Sequence, residues 1–167
     1  EEDYSTFGSF YTERYRPAET EVHLFPGIVE LLQKLKNSGI ELAVATGKSR
    51  RGLNRVLAQT GLADCFSTTE TVDENPSKPN PAMLEAISVA MGRSAEEMVM
   101  VGDTTHDIYM AHAFGCRELR RNDDEDARTG SAGCYLCECG RTCSKFRHVM
   151  KPFERQSLLI TWLRQMF

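Results

Sequence analysis

Residues 98–107 read Met98-Val99-Met100-Val101-Gly102-Asp103-Thr104-Thr105-His106-Asp107. Four consecutive apolar residues stand between the acidic pair Glu96-Glu97 and Gly102. That pattern describes a strand buried on both faces, because a strand with one wet face alternates apolar and polar residues. Ser94-Ala95-Glu96-Glu97 leads into it with the Ser-x-x-Glu form of a capping box on one short turn. Beyond the polar loop, Ile108, Ala111 and Phe114 recur at helical spacing and stop at Gly115. The stretch is therefore a buried strand that runs through a polar turn into a helix.

The same unit recurs upstream. Ile40-Glu41-Leu42-Ala43-Val44-Ala45 is a short, mostly apolar run that ends at Thr46-Gly47-Lys48-Ser49, and the helix after it turns Leu53, Val56 and Leu57 inward and ends at Gly61. Phe66 to Val72 is rich in Thr and β-branched residues and reads as a strand broken by Asn75-Pro76. Lys78-Pro79-Asn80-Pro81 then opens a helix, since proline suits a first turn. Met83, Leu84, Ile87 and Met91 form its apolar face and Gly92 closes it. Ahead of the first strand, Phe25-Pro26-Gly27 makes a turn, and Ile28, Leu31, Leu32 and Leu35 line one face of a helix that stops at Gly39. From Gly27 to Gly115 helix and strand alternate. This predicts an α/β fold, a doubly wound parallel sheet covered on both faces.

Composition narrows the function classes. Of 167 residues, 41% are hydrophobic and 26% charged, which suits a globular chain of one ordinary domain. No apolar run approaches the length needed to span a bilayer, so no membrane partner is expected. Twenty basic residues against 24 acidic ones leave a net charge of −4 without a Lys/Arg stripe. A nucleic-acid partner thus has no electrostatic support. Tyr4, Phe7, Tyr11 and Tyr15 lie on one face of a helix ended by Pro17. The chain opens on Glu1 without a basic-then-apolar leader, and is read as processed upstream or numbered from within a longer gene product.

In doubly wound sheets polar sites form outside the carboxyl ends of the strands. Thr46, Lys78 and Asp103 all fall just past an expected strand or at the start of the helix that follows, on one rim. The Thr46 hydroxyl and the Gly47 amide can donate to phosphate oxygens, helped by the helix start behind them. Lys78 adds a compact positive charge. Asp103 can ligate Mg²⁺, a hard cation that accepts one or two carboxylates and keeps several waters. Asp107, one helical turn on, can hold those waters or orient Lys78. Each residue also has a plainer reading: a strand-ending turn for Thr46-Gly47, a solvated loop lysine for Lys78, a helix cap for Asp103. Their order at successive strand ends favours the phosphate and metal reading. Gly47-Lys48-Ser49 is not the end of a nucleotide-binding P-loop, because the glycine required five residues before Gly47 is Leu42.

Four segments carry a family resemblance: Phe25-Pro26-Gly27 with its helix, Ala43 to Ser49, Ser77-Lys78-Pro79-Asn80-Pro81, and Val101 to Asp107. Over about residues 24–116 they resemble three of the four motifs of the haloacid dehalogenase superfamily, and within it phosphoglycolate-phosphatase-type hydrolases. The resemblance implies a Rossmann-like core with a helical cap, and Mg²⁺-dependent hydrolysis of a small phosphorylated metabolite in the cytoplasm through an aspartyl-phosphate. It assigns Thr46 to the transferred phosphoryl group, Lys78 to that group and the attacked carboxylate, and Asp103 to the metal, with Asp107 in support. The helix before Pro17 becomes the last of the cap. The family's first motif, Asp-x-Asp-x-Thr, supplies the nucleophile and does not occur in this chain. The polypeptide alone is therefore expected not to turn over phosphomonoesters.

The expected organisation is the end of a helical cap over 1–20, an α/β core over 21–116 and an atypical tail over 117–167. Between Arg117 and Arg147 the large apolar residues are only Leu119, Tyr135, Leu136 and Phe146. Leu158, Leu159, Trp162, Leu163 and Met166 form an amphipathic final helix. Cys134, Cys137, Cys139 and Cys143, with His148, supply enough soft ligands for zinc. Paired ligand knuckles, however, normally lie a dozen or more residues apart. The cluster is read instead as a tail without a metal role, and an origin outside the ancestral reading frame would explain its composition. Two functions remain in view: a phosphatase, or a non-catalytic chain that keeps phosphate and Mg²⁺ affinity or binds through its tail.

Overall fold

In β1 (Glu41–Thr46) successive residues point to opposite faces, and both faces are covered. Leu42 and Val44 enter one core with Leu32 and Leu35 of α1 (Ile28–Asn37), Leu53 and Leu57 of α2 (Arg50–Thr60), Val99 and Leu119. Ala43 and Ala45 enter the other, against Met83, Leu84 and Ile87 of α3 (Ala82–Met91) and Met110 and Ala111 of α4 (Thr105–Phe114). β3 (Met98–Gly102) divides in the same way, with Val99 on the first side and Met98 and Met100 on the second. This is why both strands read as unbroken apolar runs. Fully burying a side chain of this size stabilises by roughly 1.5–3 kcal/mol, so the two cores hold the helices on.

The computed structural model describes residues 24, 27–120 and 158–161. The helix expected around Tyr4 to Tyr15 and the cysteines 134, 137, 139 and 143 lie outside them. Two further strands, β2 (Thr68–Thr71) and β4 (Arg117–Arg120), join β1 and β3. A last one, β5 (Leu158–Thr161), completes five parallel strands in the order β2-β1-β5-β3-β4. The expected α/β doubly wound parallel sheet is thus the fold observed. Helices stop where expected, with Gly61 at φ 67° and Gly92 at φ 63°, a left-handed conformation open to glycine without steric cost.

Two expectations are corrected. Leu158–Thr161 is the central strand of the sheet and not part of an amphipathic helix: Glu41 to Val44 pair with it on one side and Met98 to Val101 on the other. Without it two buried strands would face each other with unpaired amides and carbonyls, and that demand overrides helical spacing in a run of four apolar or β-branched residues. Arg117–Arg120, placed with the tail, pairs with Val99 to Gly102 instead. It is an edge strand that buries Leu119 and needs little other apolar surface. The sheet therefore draws strands from both sides of the expected boundary at 116.

A variant ending at Gln156 lacks the strand that links β1 to β3. It is expected to lose its cooperative unfolding transition in urea, followed by circular dichroism; a peripheral helix would leave that transition in place.

Candidate functional site

The chain leaves β1 toward β2 on one side and β3 toward β4 on the other, so the strand order switches direction at the centre of the sheet. The carboxyl ends on either side of that point are Thr46 and the Gly102-Asp103 step, where an open α/β sheet places ligands. Thr46 is 1% exposed. Its Oγ1 accepts the Lys48 amide at 3.2 Å and closes a tight turn at the strand end. Ser49 then caps α2 by accepting the Gly52 amide at 3.2 Å.

Lys78 arrives from the loop before α3, where Pro81 occupies the N-cap position. It is a buried lysine, not a solvated one: its side chain is 9% exposed and that of Asp107 is 0%. Nζ donates to the Ala45 carbonyl at 2.9 Å and to Asp107 Oδ1 at 2.7 Å. Burial pushes the Lys78 ammonium below its ordinary pKa, while the Asp107 carboxylate and, more weakly, Asp103 pull it back up. The other oxygen of Asp107 accepts the Thr104 amide at 3.1 Å and the Thr104 hydroxyl at 2.6 Å, and Thr104 Oγ1 accepts the Asp107 amide at 3.3 Å. Thr104 and Asp107 thus form the capping box of α4, and the cap reading of Asp103 gives way to Thr104.

Gly102 is what admits Asp107. A Cβ at position 102 would stand 2.3 Å from Asp107 Cβ and 2.7 Å from its Cγ, closer than nonbonded carbons approach. Lys78, Asp107 and the main chain of β1 therefore meet directly. Thr46 and Gly47 follow Ala45 along the chain, and Asp103 follows Gly102 close enough for its charge to act on Lys78. With both oxygens already accepting hydrogen bonds, Asp107 suits the role of holding Lys78 better than that of an ion ligand. Among the described residues no group of three or more His, Cys, Asp or Glu side chains could hold a metal. A cation at this rim would rest on Asp103, water and an anionic ligand, an all-oxygen donor set that suits a hard cation such as Mg²⁺.

A neighbouring network was not legible beforehand. Arg50, the first residue of α2, donates from Nε and Nη2 to the two carboxylate oxygens of Glu74 at 2.9 Å each. Nη1 reaches Thr69 Oγ1 at 2.6 Å and Nη2 the Thr69 carbonyl at 2.7 Å. Its amide donates to Asp73 Oδ2 at 2.7 Å, so the first helical amide of α2 is held by a protein carboxylate. Glu74 also accepts the Thr71 amide at 3.1 Å. The Arg50 guanidinium, then the Thr71 hydroxyl, hold the Glu74 carboxyl down to about 2. Arg50 lies 19 to 24 positions from these partners, and the only trace in the sequence is opposite charge: Arg50-Arg51 at a helix start, Asp73-Glu74 after a strand.

A family model described as haloacid dehalogenase-like hydrolase matches residues 1–120. The phosphoglycolate phosphatase of Haemophilus influenzae (strain 86-028NP) is 38% identical over 94 residues, covering 56% of this chain and 42% of that protein. That of Pectobacterium atrosepticum is 34% identical over 114 residues, 68% of this chain and 47% of the relative. The chain spans less than half the length of these curated relatives. Among solved structures, a predicted phosphoglycolate phosphatase from Haemophilus somnus superposes with a TM-score of 0.67 at 27% identity, over 73% of this chain and 55% of that one. A HAD hydrolase of family IA, variant 3, from Entamoeba histolytica shares the fold, with a TM-score of 0.74 at 18% identity over 90% and 72% of the two chains.

Asp107→Asn keeps the shape but leaves Lys78 buried without its counter-charge, and is expected to cost about 3–5 kcal/mol in urea unfolding. A loss under about 1 kcal/mol would show that the pair does not hold the rim together. For Glu74 the folded carboxyl lies near 2 against an ordinary 4.5. Its contribution is complete above 4.5 and is lost as pH falls through about 2. Between these values the urea midpoint of the parent should drop more steeply than that of Glu74→Gln.

Proposed function

The chain belongs to the haloacid dehalogenase-like hydrolase family, and on that premise we propose that it is the phosphate-binding core of a phosphomonoester hydrolase. The observation that carries this reading is the buried Lys78, held by Asp107 and the Ala45 carbonyl at the carboxyl end of the sheet. A desolvated ammonium at a strand switch point has strong use for an anion, since its field is little screened there. Thr46 would donate its hydroxyl hydrogen to a phosphate oxygen while its oxygen keeps the Lys48 amide. The Gly47 amide would donate beside it, and Lys78 would neutralise the group from the other side. Asp103 would hold Mg²⁺, with Asp107 in support through Lys78; the ion, when bound, would offset phosphate charge as a Lewis acid. The names of the relatives support a small phosphorylated metabolite such as phosphoglycolate as the substrate class, and a cytoplasmic location is proposed with it.

Turnover is a separate matter. The aspartyl-phosphate route needs a carboxylate nucleophile that the 167 residues do not supply as Asp-x-Asp-x-Thr. The central strand, flanked by the strands that end at Thr46 and Gly102, contains no Asp or Glu among Leu158–Thr161. On this reading the polypeptide by itself grips phosphate with Mg²⁺ and does not hydrolyse its esters.

With Mg²⁺ present, inorganic phosphate is expected to bind to the full chain in a calorimetric titration, and Asp103→Asn to weaken that binding by on the order of tenfold, a loss typical of one charge-assisted contact. Phosphate release from phosphoglycolate should stay at the blank. Mg²⁺-dependent release that disappears in Asp103→Asn would replace the binding reading with an active enzyme, and failure to bind phosphate at all would remove both.

A further inference from the structure

The loop between β1 and α2 consists of Gly47, Lys48 and Ser49, and its shape is set from its two ends. The entrance is rigid, because β1 pairs with β2 on one side and β5 on the other. The middle is not wedged by packing: a Cβ built on Gly47 would meet nothing within 4 Å. The exit is Arg50. Its guanidinium forks onto Glu74 and bridges to the hydroxyl and carbonyl of Thr69, while its amide is held by Asp73. These bonds tie the start of α2 to the carboxyl end of β2. With side chains 32% and 40% exposed, solvent screening discounts what this pair adds to stability. What so many directed contacts on one planar group can fix is position.

We propose that Arg50 is a positioning residue for the anion grip: clamped by Glu74 and Thr69, it fixes the exit of the 47–49 loop so that Thr46 Oγ1 and the Gly47 amide converge on one oxyanion. The inference rests on the phosphate reading of the site. Arg50 does not touch the anion. It acts through the loop, as a misplacement of about 1 Å in a binding group is enough to cost large factors in function. The geometry also requires arginine. Lysine keeps the charge but is a single point donor, and cannot span two carboxylate oxygens, a hydroxyl and a carbonyl at once.

The test is an amide-resolved NMR titration of the full chain with inorganic phosphate and Mg²⁺, run on the parent, Arg50→Lys, Glu74→Gln and the exposed helix-surface control Arg51→Lys, alongside thermal unfolding. Arg50→Lys and Glu74→Gln should each weaken phosphate binding on the order of tenfold and displace the Gly47 and Lys48 amide signals before any phosphate is added. Arg51→Lys should bind like the parent. If Arg50→Lys lowers the melting temperature yet binds phosphate as the parent does, Arg50 is a structural anchor only and the proposal fails. If Arg50→Lys fails to fold, Glu74→Gln decides in the same way. A parent that binds no phosphate overturns the reading of the site, and this inference with it.

Discussion

A buried ammonium and a buried carboxylate 2.7 Å apart, Lys78 and Asp107, constrain everything near them. Removing either charge from water is costly, and their mutual attraction offsets that cost only when the remaining donors and acceptors are also satisfied. The surroundings meet this condition. The Ala45 carbonyl accepts a second hydrogen bond from Lys78, and Thr104 donates from both its amide and its hydroxyl to Asp107. From this follow Gly102, since no side chain fits beside Asp107, and Thr104 as the cap of α4. One ion pair thus joins the end of β1, the loop before α3 and the first turn of α4.

The two ends of the sheet spend their charges differently. At the amino end Arg93, just past α3, closes onto Glu41 at the start of β1, with Nη2 2.6 Å from the carboxylate. Its Nη1 also lies 3.8 Å from Glu97 Oε1, so that arginine is shared between two carboxylates. At the carboxyl end the corresponding arginine, Arg50, is tied to Glu74 beside β2, off to one side, and the ionisable groups near the switch point are left around a lysine. Parallel strands aim their carboxyl ends the same way, so the five strands bring those ends to one rim.

How much of this was legible follows from how local each signal is. β1 and β3 stood out because strands buried on both faces read as apolar runs bounded by turns. Thr46 and Asp103 stood out because polar residues directly after such runs lie at one rim, and Lys78 because it opens the helix that follows an expected strand. β5 did not, since Leu158 and Leu159 continue into Trp162 and Leu163 at helical spacing, and a run of four residues cannot be assigned by period alone. What decides it is the pair of facing edges on β1 and β3, a long-range demand. β4 was hidden by two arginines and a glutamate around the one apolar residue, Leu119. The Arg50 network was hidden for a further reason: its hydrogen bonds join segments whose approach is fixed only once β2 lies beside β1.

The charge count at the rim bears on what the site can hold. Lys78 contributes one positive charge and Asp103 and Asp107 one negative each, so the three together carry about −1 in a poorly screened place. A phosphate, itself carrying between one and two negative charges near neutral pH, would meet a site that attracts it through Lys78 and repels it through Asp103. Thr46 and Gly47 add dipoles, not charge, and the first amide of α2 already serves Asp73. On the proposed reading a divalent cation beside Asp103 would turn that sum to about +1, and the carboxylate that opposes the anion would become the reason it binds. On the proposed reading, then, dependence on a hard cation is a consequence of having two carboxylates and one lysine at the end of this sheet.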